Sequence, residues 1–183
     1  MSSPPLPPSS FEATLLRPAK SQTEEDWTFL LLPQEVSDLL PRRGRTTVAG
    51  TLNGHPFQAT LEPDGKLGHW LRVEDKLRAA AGLEVGRAVK ITLAPVAKEP
   101  EPAIPADWAE MLAASPEARA TWQATTPLAR LDWIHWLTSA KQHKTRCQRL
   151  ENARDMLAKG KKRVCCFDPS GFYSKAFRAP EAE

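Results

Sequence analysis

Apolar positions recur every second residue along the first half of the chain and every third or fourth along the second. Phe11, Ala13 and Leu15 lie two apart, and Trp27–Leu32 is an apolar run that stops at Pro33. Arg45–Leu52 sets Thr46, Val48 and Gly50 against Thr47, Ala49 and Thr51; Pro56–Leu61, Leu67–Val73 and Ala88–Val96 follow in the same manner. A period of two puts alternate side chains on opposite faces of a strand. Asn53-Gly54 supplies the positive φ angles of a type I′ hairpin turn, and Pro63-Asp64-Gly65 turns the chain again. One or two helical turns fit between Pro33 and Pro41, and a second short helix fits Asp75–Ala81, stopped by Gly82. Six strands and two short helices predict a small barrel over residues 11–96, which removes its own edges.

The second half changes period. Leu128, Leu131, Ile134 and Leu137 recur at spacing three, with Trp133 and Trp136 widening the apolar face, and Leu150, Ala153, Met156 and Leu157 mark a last helix ending at Gly160. Pro105, Ser115-Pro116 and Thr126-Pro127 are helix starts. Three to four helices are therefore expected over residues 106–165, giving an α+β chain. Seven of the nine glycines fall between Gly44 and Gly86, and Pro95, Pro100, Pro102 and Pro105 mark a stiff linker over residues 97–105. Residues 1–10, with four prolines and four serines, read as a disordered leader, and residues 166–183 as a C-terminal tail.

Composition narrows the classes. The chain of 183 residues is long enough to bury a core without metal or disulfide. No apolar run reaches the roughly 20 residues of a transmembrane helix, and residues 1–10 lack the pattern of a secretory signal. Three cysteines, Cys147, Cys165 and Cys166, with no CxxC, fit a reduced cytoplasmic chain and argue against zinc. The adjacent pair reads either as a redox dithiol or as small residues in a short segment.

Net charge is only +3, but it is unevenly placed. Residues 99–132 hold six acidic and two basic residues, whereas residues 141–163 hold nine basic and two acidic ones. Such blocks either complement each other across packed helices or present an anion site. Lys141, Thr145 and Arg149 are spaced by four, and with Arg146 they are the candidate ligand- or anion-binding set. The alternative pairs Arg146 and Arg149 with acids of the earlier helices, including Glu110 and Asp132. The tryptophans Trp108, Trp122, Trp133 and Trp136 read as core, with base stacking as the alternative. His135 and His143 lie eight apart and share a face if one helix runs unbroken, with no carboxylate at ligand spacing between them. At the barrel, His55 and His69 sit in or beside turns and could share one barrel end, near Glu74 or Asp75; Lys76 and Arg78 complete that candidate set. The residues name no catalytic group, cofactor or metal.

Asn53-Gly54, Leu77-Arg78, Ala81-Gly82, Val85-Gly86 and Val89 resemble the pattern of a bacterial domain of unknown function, number 1905, with Arg87 where an acidic or polar residue is usual. That resemblance implies a double-split β-barrel, a fold shared at a distance with AbrB-like and MazE-like DNA-binding proteins. Trp136-Leu137, Ala140-Lys141, Lys144-Thr145-Arg146, Arg149-Leu150, Leu157 and Gly160-Lys161 resemble the YdeI/OmpD-associated, bacteriocin-protection helical domain, with Lys144 in place of the usual glutamate. The resemblance implies a link to envelope stress or bacteriocin tolerance and no particular reaction. The leading expectation is a binding or accessory protein with a small ligand in the barrel or an acidic protein partner at the basic helix. Nucleic-acid binding is the second reading and a hydrolase at the barrel mouth the third. Nothing in the residues sets the oligomeric state.

Overall fold

Strands and helices segregate along the chain as the two periods predict, giving an α+β fold. The structure, a computed structural model, describes residues 5–20 and 26–183. It divides into a first unit that runs to Lys98 and takes in Ser170–Glu183, and a second unit, Glu99–Pro169. Residues 1–4 of the expected leader lie outside the described residues.

Among the described residues of the first unit are six strands: β1 (Ser9–Thr14), β2 (Trp27–Leu31), β3 (Thr46–Leu52), β4 (His55–Pro63), β5 (His69–Glu74) and β6 (Ala88–Pro95). They form one sheet in the order β1-β6-β3-β4-β5-β2, antiparallel at every pairing. The short helices α1 (Gln34–Asp38) and α2 (Asp75–Ala80) lie where proline and glycine bracket them. β4 is the longest strand because it serves two neighbours. His55–Leu61 pair with β3, while Glu62 and Pro63 pair with β5. The sheet curls until its edges approach: Leu16 and Phe29 exchange two backbone hydrogen bonds, each 2.9 Å. Curling leaves one face inside, and Leu15, Leu30, Val48, Leu52, Leu61, Leu71, Ile91 and Leu93 fill it. Each such side chain contributes about 1.5–3 kcal/mol on burial.

The hairpin tip behaves as its two residues require. Asn53 and Gly54 have φ of 48° and 82°. Asn53 also ties the tip to β6, its N–H donating to the Lys90 carbonyl and its Oδ1 accepting from the Lys90 N–H, both at 2.8 Å.

The boundaries of the first unit differ from the sequence reading at both ends. Ser9 and Ser10, expected in the leader, begin β1, because the free edge of β6 offers partners as far as Leu93. Ser170–Glu183, expected only as a tail, belongs to the first unit, with Ala19 N–H donating to the Glu181 carbonyl and Glu183 N–H to the Arg17 carbonyl.

The second unit comprises α3 (Ala106–Ala113), α4 (Pro116–Gln123), α5 (Pro127–Thr138) and α6 (His143–Ala158). Thr126 caps α5, its Oγ1 accepting from Ala129 N–H at 3.2 Å. Trp108, Trp122 and Trp133 are buried with Leu112, Leu137, Leu150 and Leu157, as the core reading expects. Trp108 and Trp122 meet edge to face, ring centres 5.7 Å apart. Leu128 is the exception, exposed in the first turn of α5. No helix among the described residues is long and apolar enough to cross a membrane.

Gly50 lies on β3 against β6, where a Cβ would come within 1.8 Å of the Thr92 carbonyl oxygen. Gly50→Ala is expected to destabilise the protein by about 1–3 kcal/mol, the cost of overpacking a filled interior. Chemical denaturation measures it, and Gly54→Ala at the hairpin tip, where nothing lies within 4 Å, should cost only the strain of its φ of +82°, about 1–2 kcal/mol.

Candidate functional site

The basic block of the second unit sorts into two sets. Arg146, on the inner side of α6, makes a two-pronged ion pair with Asp107: Nε to Oδ2 at 2.6 Å and Nη2 to Oδ1 at 2.9 Å. Asp107 occupies the first turn of α3, where a negative charge is favoured by the helix dipole, and its Oδ1 also accepts from Trp108 N–H at 2.8 Å. The bond from Arg146 holds the Asp107 carboxyl below its ordinary pKa, and Asp107 raises that of Arg146.

Arg149 points at the end of α5. Its Nη1 donates to the Trp136 carbonyl at 2.6 Å and to Ser139 Oγ at 2.9 Å, and the guanidinium stands 5.4 Å from the Trp136 ring centre. A cation at carbonyls that lack helical partners is favourable. Arg130 does the same for α4, donating to the carbonyls of Trp122, Gln123 and Thr125 at 2.9–3.1 Å, with Glu101 at 2.5 Å completing its shell.

The shared face expected of Lys141, Thr145 and Arg149 does not form. α5 ends at Thr138 and α6 begins at His143, so Lys141 lies in the connector, outside the helix. The same break separates His135 from His143. Lys141 and Thr145 are exposed, whereas Arg149 is turned inward. The internal pairing of Arg146 is realised with Asp107, not with Glu110 or Asp132. What remains outward is Lys141 and Lys144 at the start of α6, and Lys159, Lys161, Lys162 and Arg163 beyond its end, all exposed. α6 spans 16 residues, about 24 Å, between these two groups.

The barrel candidates are also dispersed. His55 opens β4 and His69 pairs with Pro63 at its far end. Eight steps of about 3.3 Å along a strand separate the two ends, so the histidines do not share a barrel end. Arg78 is engaged by Asp75 and by Asp26, the latter at 3.3 Å, and Lys76 is exposed. Glu74 pairs with Arg72 at 2.6 Å. His69 is 1% exposed, with its backbone N–H donating to Ser37 Oγ at 3.1 Å and its Nε2 3.1 Å from the Gly44 carbonyl. Because that carbonyl can only accept, Nε2 carries the proton of the neutral ring. Burial pushes the His69 pKa down.

A family profile described as "Domain of unknown function (DUF1905)" matches residues 11–93, and one described as "Bacteriocin-protection, YdeI or OmpD-Associated" (OmdA) matches residues 101–160. The chain is a DUF1905 domain followed by an OmdA domain. Comparison with curated proteins returns no match. His55, His69, Lys76 and Arg78 therefore lie in the DUF1905 domain, and Lys141, Thr145, Arg146 and Arg149 in the OmdA domain. Cys165 and Cys166 lie beyond the OmdA match.

Two predictions separate structural from surface roles. Arg146→Lys keeps the charge but loses the fork that matches both Asp107 oxygens, and should lower stability by about 1 kcal/mol, the scale of a partly solvated pair. Lys141→Ala should not lower the melting temperature. The second concerns pH. His69 takes up a proton less readily folded than unfolded, so its contribution is fully present above the ordinary histidine pKa of about 6.5 and is lost as pH falls from there toward the lowered folded value. The melting temperature should fall between pH 7 and pH 5, and His69→Gln, whose Nε2 can keep the Gly44 bond, should flatten that slope.

Proposed function

We propose that the protein is a binding protein whose OmdA domain docks an acidic protein partner on the exposed lysines at the start of α6, in the bacteriocin protection its family description names. One observation carries the reading. Lys141 and Lys144 stand at the positive end of the α6 dipole, and the first turn of α6 contains no acidic residue. Cations there cost stability, and an incoming carboxylate would relieve that cost. Arg146 and Arg149, turned to Asp107 and to the α5 end, fix the helix that presents them. The barrel candidates support a ligand less well, since His55 and His69 stand at opposite ends of β4 and Arg78 is engaged by carboxylates. Cys147, Cys165 and Cys166 are free, which supports a reducing, cytoplasmic setting.

The test compares poly-glutamate with random double-stranded DNA as probes at low salt. Binding to poly-glutamate that weakens several-fold in the double variant Lys141→Glu/Lys144→Glu, with a melting temperature no lower than that of the parent chain, is the expected result. Tighter binding to DNA with a steep loss of affinity on adding salt would transfer the reading to nucleic acid. Binding to neither probe would remove it.

A further inference from the structure

The segment after α6 brings two thiols together on a restrained loop. Cys165 Sγ and Cys166 Sγ are 3.1 Å apart, and both residues are exposed. The loop is held on both sides of the pair. Before it, the Lys162 carbonyl accepts from Trp133 Nε1 at 3.2 Å and Val164 packs against the helical core. After it, the Phe167 ring meets the His135 ring edge to face at 5.4 Å. Between these anchors Cys166 adopts φ of +60°, a conformation costly for a side chain other than glycine or asparagine. Strain of this kind persists only where the surroundings enforce it, and here it accompanies two sulfurs in contact. The preceding residues, Lys161-Lys162-Arg163, make the surroundings electropositive. Exposed cysteines beside cations are the reactive ones, because the thiolate is the nucleophile.

We propose that Cys165 and Cys166 form a reversible modification site that exchanges with small-molecule disulfides of the glutathione type and closes into a vicinal disulfide. The thiolate of one cysteine attacks a sulfur of the glutathione disulfide, whose S–S bond breaks to release one glutathione thiolate. The second cysteine, as its thiolate, then attacks the protein sulfur of the mixed disulfide and expels the other glutathione. Two cysteine thiols are oxidised, one glutathione disulfide is reduced to two thiols, and the two cysteine protons end on the glutathione. The Cys166 thiol pKa is raised, chiefly by its bond to Cys165, which favours Cys166 as the second, resolving thiol. Adjacent Cα atoms across a trans peptide are about 3.8 Å apart, short of the roughly 4.4–6.8 Å usual for disulfides, so the product is strained and easily reduced. That favours a reversible mark over a structural cross-link.

The experiment uses the full chain carrying Cys147→Ser, leaving only the pair. It is equilibrated in buffers of graded reduced and oxidised glutathione, quenched with an alkylating reagent, and read by intact mass and circular dichroism. The expected species in oxidising buffer has lost two hydrogens, carries no glutathione, resists alkylation and returns to the dithiol in excess reduced glutathione. Adding Cys165→Ser or Cys166→Ser should instead trap one glutathione adduct per chain. A folded Cys147→Ser chain that accumulates glutathione adducts without the two-hydrogen loss, or stays fully alkylated throughout, overturns the proposal.

Discussion

The second unit depends on arginines that close the open ends of helices. Its helices are short, 8 to 16 residues, so unsatisfied carbonyls are a large share of each. Only α6 ends on glycine: Gly160, at φ +81°, lets its own N–H reach the Leu157 carbonyl and the Lys161 N–H reach that of Met156. α4 and α5 end in right-handed residues, Ala124 and Ser139. Arg130 and Arg149 supply there the donors that a left-handed turn would supply elsewhere. Arg146 works at the opposite kind of terminus, holding the acid in the first turn of α3.

This accounting changes the meaning of the basic block. Counted along the sequence, residues 141–163 are a strongly positive stretch facing an acidic one. In three dimensions, Arg146 takes part in complementarity with the acidic stretch through Asp107, and Arg149 neutralises a helix end. The lysines do neither, because a flexible point charge gains little from fixed carbonyls and remains well hydrated. The division between Arg146 and Arg149 inside and the lysines outside is the physical basis for reading the surface, and not the whole block, as the docking element.

Most elements were legible because their signals are local. Alternation over Arg45–Leu52, the Asn53-Gly54 turn, and proline at the starts of α4 and α5 each act within a few residues. The candidate site was less legible because its partners are distant. Asp107 precedes Arg146 by 39 residues, and nothing in spacing selects it over Glu110. The break between α5 and α6 carries no glycine or proline, so Lys141 could be placed on a helix face that the chain never builds. Its signal lies in Arg149, which reaches back to the Trp136 carbonyl and thereby shows where α5 stops. His69 departs from its reading for a related reason: its position beside a turn suggested a barrel end shared with His55, whereas the length of β4 sets the two at opposite ends.

Ser170–Glu183 returns to the residues that follow β1, where Arg17 and Ala19 receive it. The first unit is thus discontinuous, with the whole helical unit occupying the interval between its parts. On the ribosome this inverts the usual order of completion, in which the domain made first finishes first. The helical unit, being one uninterrupted stretch, can consolidate as soon as it emerges. The strand-built unit, although begun earlier, must hold its nearly closed sheet until Ser170–Glu183 arrives to join it.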